Sequence, residues 1–238
     1  MGTSKGYMPP TGHLWSDAKR SVSGMARNNY NPDSIGKAMS NFSKANGSSG
    51  SRKEGNSAIG SSGSKAVNFA GLVRNFGLNY SLNEVGLSYL VGRSPEEVFA
   101  GLIDYFSVGN NSLQQSIADQ AMQEYMEDMM GNVRNEDELQ EAFSNLETDI
   151  FIRDYLTKFL KVSFFTNFAE KINSLCNDIG TAIKMQGRIS EYIRLEIAEN
   201  YQLDGLKNID WKGREGRNYI EKKCEEVWMI FEMWGDSK

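Results

Sequence analysis

Between Thr148 and about Ser174 the chain carries Ile150, Phe151, Tyr155, Leu156, Phe159, Leu160, Val162, Phe164, Phe165, Phe168 and Ile172. Wound as a helix, these side chains cover far more than one face. A helix apolar nearly all round must be enclosed by other elements. No run of alternating strand character occurs anywhere in the sequence, so the enclosing elements are expected to be helices. The segment is not a membrane span, because Arg153, Asp154, Lys158, Lys161 and Glu170 interrupt it.

Several helices announce themselves by their ends. Ser94-Pro95-Glu96-Glu97 places a capping serine before proline at the first helical position, with a glutamate three residues on to return a hydrogen bond. Asn110-Asn111-Ser112 opens a helix expected to run to Gly131, and Asn135 opens a short acidic one reaching Asn145. Lys65 to Phe76 has an apolar face, with Gly77 placed to stop it. Ala182 to Tyr201 and about Gly213 to Trp234 complete the set. The expectation over 65–238 is an all-α, bundle-like domain of about seven or eight helices.

Residues 1–64 read differently. Two short amphipathic segments, Trp15 to Arg27 and Pro32 to Ala45, carry too little apolar surface to be stable alone and need something to dock on. From Asn46 to Ser64, 12 of 19 residues are Gly or Ser, the composition of a flexible linker. The expected organisation is thus a long, largely disordered, Gly/Ser-rich N-terminal arm over 1–64, then the helical domain. The arm is also basic. Residues 1–80 hold 10 Lys/Arg against 3 Asp/Glu, whereas residues 81–160 hold 4 against 15. Such asymmetry suits a basic tail meeting nucleic acid, a partner, or the chain's own acidic segment.

Little in the composition supports catalysis. His13 is the single histidine and lies in the arm, away from any nucleophile. Cys176 and Cys224 are far apart in sequence and form no C-x-x-C pair, which argues against a disulfide framework or a zinc site. Reduced thiols in a cytoplasmic protein are expected, with no signal peptide, membrane span, metal or cofactor. Glu124, Glu127 and Asp128 form an acidic neighbourhood that lacks the histidine a carboxylate-bridged metal would use. An exposed acidic face is the plain reading, and an enzyme built on these carboxylates is its rival. Gly60-Ser61-Ser62-Gly63-Ser64-Lys65 has the wrong spacing for a phosphate loop.

Two features of the arm bear on partners. Lys19, Arg20, Arg27, Lys37, Lys44, Arg52 and Lys53, interspersed with Trp15, Tyr30 and Phe42, suit single-stranded nucleic acid through stacking and phosphate contact. Met1-Gly2 followed by Thr3 and Ser4 would present a glycine amine after methionine removal, while Gly6 breaks the myristoylation pattern.

The opening Met1-Gly2-Thr3-Ser4 and a Pro-containing stretch before Trp15 resemble the QatB family of the bacterial Qat anti-phage defence system. So do Ala18-Lys19-Arg20-Ser21, Ile35-Gly36-Lys37-Ala38, Val91 to Asp104 and Leu175-Cys176-Asn177-Asp178-Ile179-Gly180-Thr181. The last helix departs from the pattern in being longer and richer in Trp. The resemblance implies a non-enzymatic subunit, accompanied by a QatA-type ATPase, a QueC-like enzyme (QatC-type) and a TatD-like nuclease. It further implies that the chain is a protein substrate of the QueC-like enzyme, which works with 7-deazaguanine chemistry and ATP. Gly2 would be the acceptor, with Thr3, Ser4, Trp15, Lys19, Arg20, Asn177 and Asp178 as partner contacts. A nucleic-acid-binding adaptor using the basic arm is the alternative. Asn177-Asp178 has a second reading, as the cap of the helix that follows.

Overall fold

The computed structural model describes residues 11–109, 111–131, 133–204 and 209–234. Among these residues there are ten α-helices, one short 3-10 turn at Ser88–Leu90, and no strand. In chain order they are α1 (His13–Arg27), α2 (Pro32–Ser48), α3 (Ser51–Phe76), α4 (Leu78–Glu84) and α5 (Pro95–Phe106). Then follow α6 (Leu113–Met130), α7 (Glu136–Ser144), α8 (Thr148–Ser174), α9 (Ile179–Asn200) and α10 (Arg214–Glu232). The all-α expectation is borne out.

The caps read from sequence hold. Ser94 accepts from the Glu97 N–H at 3.3 Å while the Glu97 carboxylate accepts from the Ser94 N–H at 3.1 Å, a reciprocal box that starts α5. Ser112 caps α6 by accepting from the Gln115 N–H, and Asn135 caps α7 by accepting from the Glu138 N–H. Gly77 ends α3 at φ 83°, a conformation in which a Cβ would be strained.

Helix α8 is the centre, as its composition demanded. Phe151, Tyr155, Phe159, Phe164 and Phe168 are all buried, and α6, α9, α1, α3 and α10 pack around it. Phe42 of α2 ties the elements together: its ring lies 5.4 Å from Phe164, 5.6 Å from Phe168, 5.6 Å from Trp228 of α10 and 6.0 Å from Trp15 of α1. A second cluster joins Phe69 of α3 to Phe106 of α5 and Phe143 of α7.

The Gly/Ser stretch is where the structure corrects the sequence reading. Residues 51–64 are not a linker; they are the first half of α3, which runs unbroken through positions 64 and 65 to Phe76. Intrinsic propensity disfavours Gly and Ser in a helix by up to about 1 kcal/mol per residue. Their small size supplies the compensation. A Cβ on Gly60 would stand 2.6 Å from Glu221 Cγ and 2.9 Å from the Arg217 carbonyl oxygen, both on α10. One on Gly63 would stand 2.9 Å from Ile220 Cδ1 and 3.2 Å from Tyr155, and one on Gly55 2.9 Å from Phe159. The glycines let the backbone of α3 pass between α10 and α8 at a spacing that larger residues forbid, and the dispersion contacts of close packing replace lost propensity.

The described part of the expected arm is likewise folded. Helices α1 and α2 form a hairpin whose turn holds Asn29 at φ 52° and Tyr30 at φ 50°. They dock, as segments so short must, and the surface they use belongs to the same chain: α8 and α10. A buried polar network locks this region. Arg52 of α3 donates to Glu225 at 2.8 Å, to Glu232, and to the Ser43 carbonyl at 2.8 Å, while Asn56 bridges Glu225 and the Trp228 indole.

Candidate functional site

The residues expected to meet a partner are scattered rather than gathered. Gly2, Thr3 and Ser4 lie outside the described residues. Trp15 is not a surface contact: it is 4% exposed, packed edge-on to Phe42 with Phe168 alongside. Its apolar face is worth more in the core than in water. Lys19 is half-buried, whereas Arg20 is exposed and pairs with Asp17 on its own helix.

Asn177 and Asp178 follow α8 and are exposed. Asp178 caps α9, accepting from the Thr181 N–H at 2.8 Å and from the Thr181 hydroxyl at 2.7 Å. These two bonds, the hydroxyl's first, hold its carboxyl below the ordinary 3.8. The pair lies by the far end of α1 from Trp15, since Tyr30 just past that end places its hydroxyl 3.7 Å from Cys176 Sγ. At about 1.5 Å per residue Trp15 lies about 18 Å along α1 from that end, with Lys19 and Arg20 between.

The stacking platform for nucleic acid is not available at the surface. Trp15, Tyr30 and Phe42 are all buried, and Arg52 is committed to its carboxylates in the interior. Burial, with the Cys176 contact second, pushes the Tyr30 phenol up to about 12. Exposed Arg27, Lys37, Lys44 and Lys53 remain from that set, able to meet phosphates but not to stack bases.

Groups tested for chemistry do not converge. The His13 side chain is 82% exposed, at the start of α1, with Asp17 3.4 Å away. Cys224 is fully buried, and burial pushes its thiol far above the range where a thiolate forms. Glu124 and Glu127 line an acidic groove between α5 and α6 with Asp104 and Asp119, and each accepts a hydrogen bond from a glutamine one turn back. Asp119 is held by the Ser107 hydroxyl at 2.6 Å and the Val108 N–H at 2.9 Å. Among the described residues no group of three or more His, Cys, Asp or Glu could hold a metal ion. Nor is any helix there long and apolar enough to cross a membrane.

A different groove, of about 680 Å³, opens between α6, α8 and α9. Arg153, Lys158 and Lys161 of α8 and Arg194 of α9 line it, facing Tyr125 and Met129 of α6. The sequence reading noted the three α8 cations only as interruptions of an apolar run. Their spacing was the available signal: Arg153, Thr157 and Lys161 recur every fourth residue and so share one side of α8.

A family model described as "Qat anti-phage system associated protein QatB" matches residues 50–231. The matched segment opens at Gly50, the residue before α3, and ends within α10. No curated protein and no solved structure matches the chain.

Proposed function

The chain belongs to the QatB family of Qat anti-phage system associated proteins, and from that premise we propose that it is a non-enzymatic subunit serving as protein substrate of a QueC-like partner enzyme. The family match over 50–231 carries this reading. The part acted upon is the glycine-led segment ahead of α1, with Gly2 the acceptor amine and Thr3 and Ser4 next to it in the partner's active site. The helical body is the docking platform, and a QatA-type ATPase and a TatD-like nuclease complete the assembly.

The way the chain enters α1 supports the reading. Thr11, Gly12 and His13 are exposed, and nothing lies within 4 Å of where a Cβ on Gly12 would be. At Thr11 to His13 the chain is thus open to solvent rather than covered by a neighbouring helix, which suits the entry of a partner enzyme. The dispersal of His13, Cys176 and Cys224 among unrelated surroundings favours a subunit without catalysis of its own.

The test is the intact mass of the protein co-expressed with its QueC-like neighbour, alongside phage challenge of a Gly2→Pro variant. Proline still permits methionine removal but offers no primary amine. A mass shift confined to the glycine-led segment, with protection lost in Gly2→Pro, is the expected result. An unchanged mass together with full protection by the variant overturns the proposal.

A further inference from the structure

The groove between α6, α8 and α9 has an imbalance in its charges. Each carboxylate on its wall already holds a cation: Asp128 with Lys158 at 2.6 Å, Asp154 with Arg153 at 2.8 Å, and Glu191 with Arg194 at 2.6 Å. Lys161 remains. Among the described residues its ammonium has no carboxylate within 4.0 Å and no hydrogen-bond acceptor, although the side chain is half-buried. Arg153 is only partly committed, since Nε alone reaches Asp154 and both terminal nitrogens stay open. A partly desolvated cation whose carboxylates act on it only from beyond contact distance still gains from an anion that meets it. Burial, and Lys158 one turn away, outweigh the pull of Glu124, Asp128 and Glu191 and hold the Lys161 ammonium below the ordinary lysine range.

The remaining wall suits a ligand with more than charge. Tyr125 and Met129 give an apolar side, Ser190 and Thr157 add hydroxyls, and the space of about 680 Å³ is that of small-molecule sites. Lys161 and Arg153 stand eight residues apart on α8, about 12 Å along its axis. That span fits an elongated molecule better than a single small ion.

We infer that this groove binds a phosphorylated small molecule, with the phosphate on Lys161 and the far end of the ligand toward the open guanidinium of Arg153. The carboxylates are not competitors for the phosphate, because their own cations neutralise them. They instead hold Lys158 and Arg194 in place, so that the groove keeps positive ends without collapsing on itself.

Titration calorimetry of the full chain at low salt tests this, using pyrophosphate and AMP as separate probes. At least one probe should bind, and Lys161→Met should weaken that binding tenfold or more. Arg153→Gln should weaken it to a smaller degree, and Lys171→Gln, exposed near the far end of α8 and outside the groove, should leave it unchanged. Binding of pyrophosphate alone identifies a polyphosphate ligand, and binding of AMP alone identifies a nucleotide; either supports the site. Thermal melts of both groove variants, expected to match the parent, separate lost binding from lost folding. No heat with either probe, or binding that Lys161→Met and Arg153→Gln both leave intact, overturns the inference.

Discussion

Gly60 sits where α3 packs against the backbone of α10, and single atoms decide what that position tolerates. Any side chain there runs into the Arg217 carbonyl of the facing backbone, which cannot swing aside. Gly60→Leu should therefore destabilise the protein by about 1–3 kcal/mol, the usual range for overpacking. Gly71 lies in the same helix with nothing within 4 Å of its virtual Cβ. Gly71→Ala should instead stabilise by about 0.5–1 kcal/mol, through helix propensity alone. Urea unfolding of the two variants checks both signs. Equal effects would mean that α3 does not contact α10 as described. The residue scale also explains why Arg52 is buried although it sits in a Gly/Ser-rich stretch. It is the polar key of that interface, its two terminal nitrogens reaching Glu225, Glu232 and Ser43.

At the level of elements, legibility followed the source of each helix's stability. Helices α5, α6 and α7 declare themselves through local chemistry, in Ser94, Ser112 and Asn135, so their starts could be read directly. Helix α8 was legible because eleven apolar residues leave no other solution. The first half of α3 was not, because its helical state comes from tertiary packing at Gly55, Gly60 and Gly63 and not from propensity. The groove was obscured for a related reason: Lys161 is unremarkable until the neighbouring carboxylates are seen to be taken. Helix α9 offers a test at this scale. A carboxyl whose folded value is depressed contributes stability fully above its unfolded value and loses it as pH falls through the folded one. Asp178→Ala should thus lower the melting temperature at neutral pH, and the gap to the parent should shrink below about pH 4. A gap independent of pH down to about pH 2 would show that the Thr181 bonds do not favour the ionised carboxylate.

Across the whole molecule, the family match begins at Gly50, yet among the described residues the core begins at Trp15. Helices α1 and α2 supply Trp15, Met25, Met39 and Phe42 to the surface of α8 and α10 that would otherwise face water. The basic charge of the first 80 residues is thereby carried largely on a folded hairpin and on α3. The substrate role proposed above would use this arrangement, because the body is packed from α1 onward. Hydrogen exchange of the intact chain, followed peptide by peptide, tests the account most directly at residues 51–64. Amides held in a packed helix should be protected to the same order as those of α8. Complete exchange of 51–64 at the shortest time, with α8 still protected, would contradict it and restore the linker.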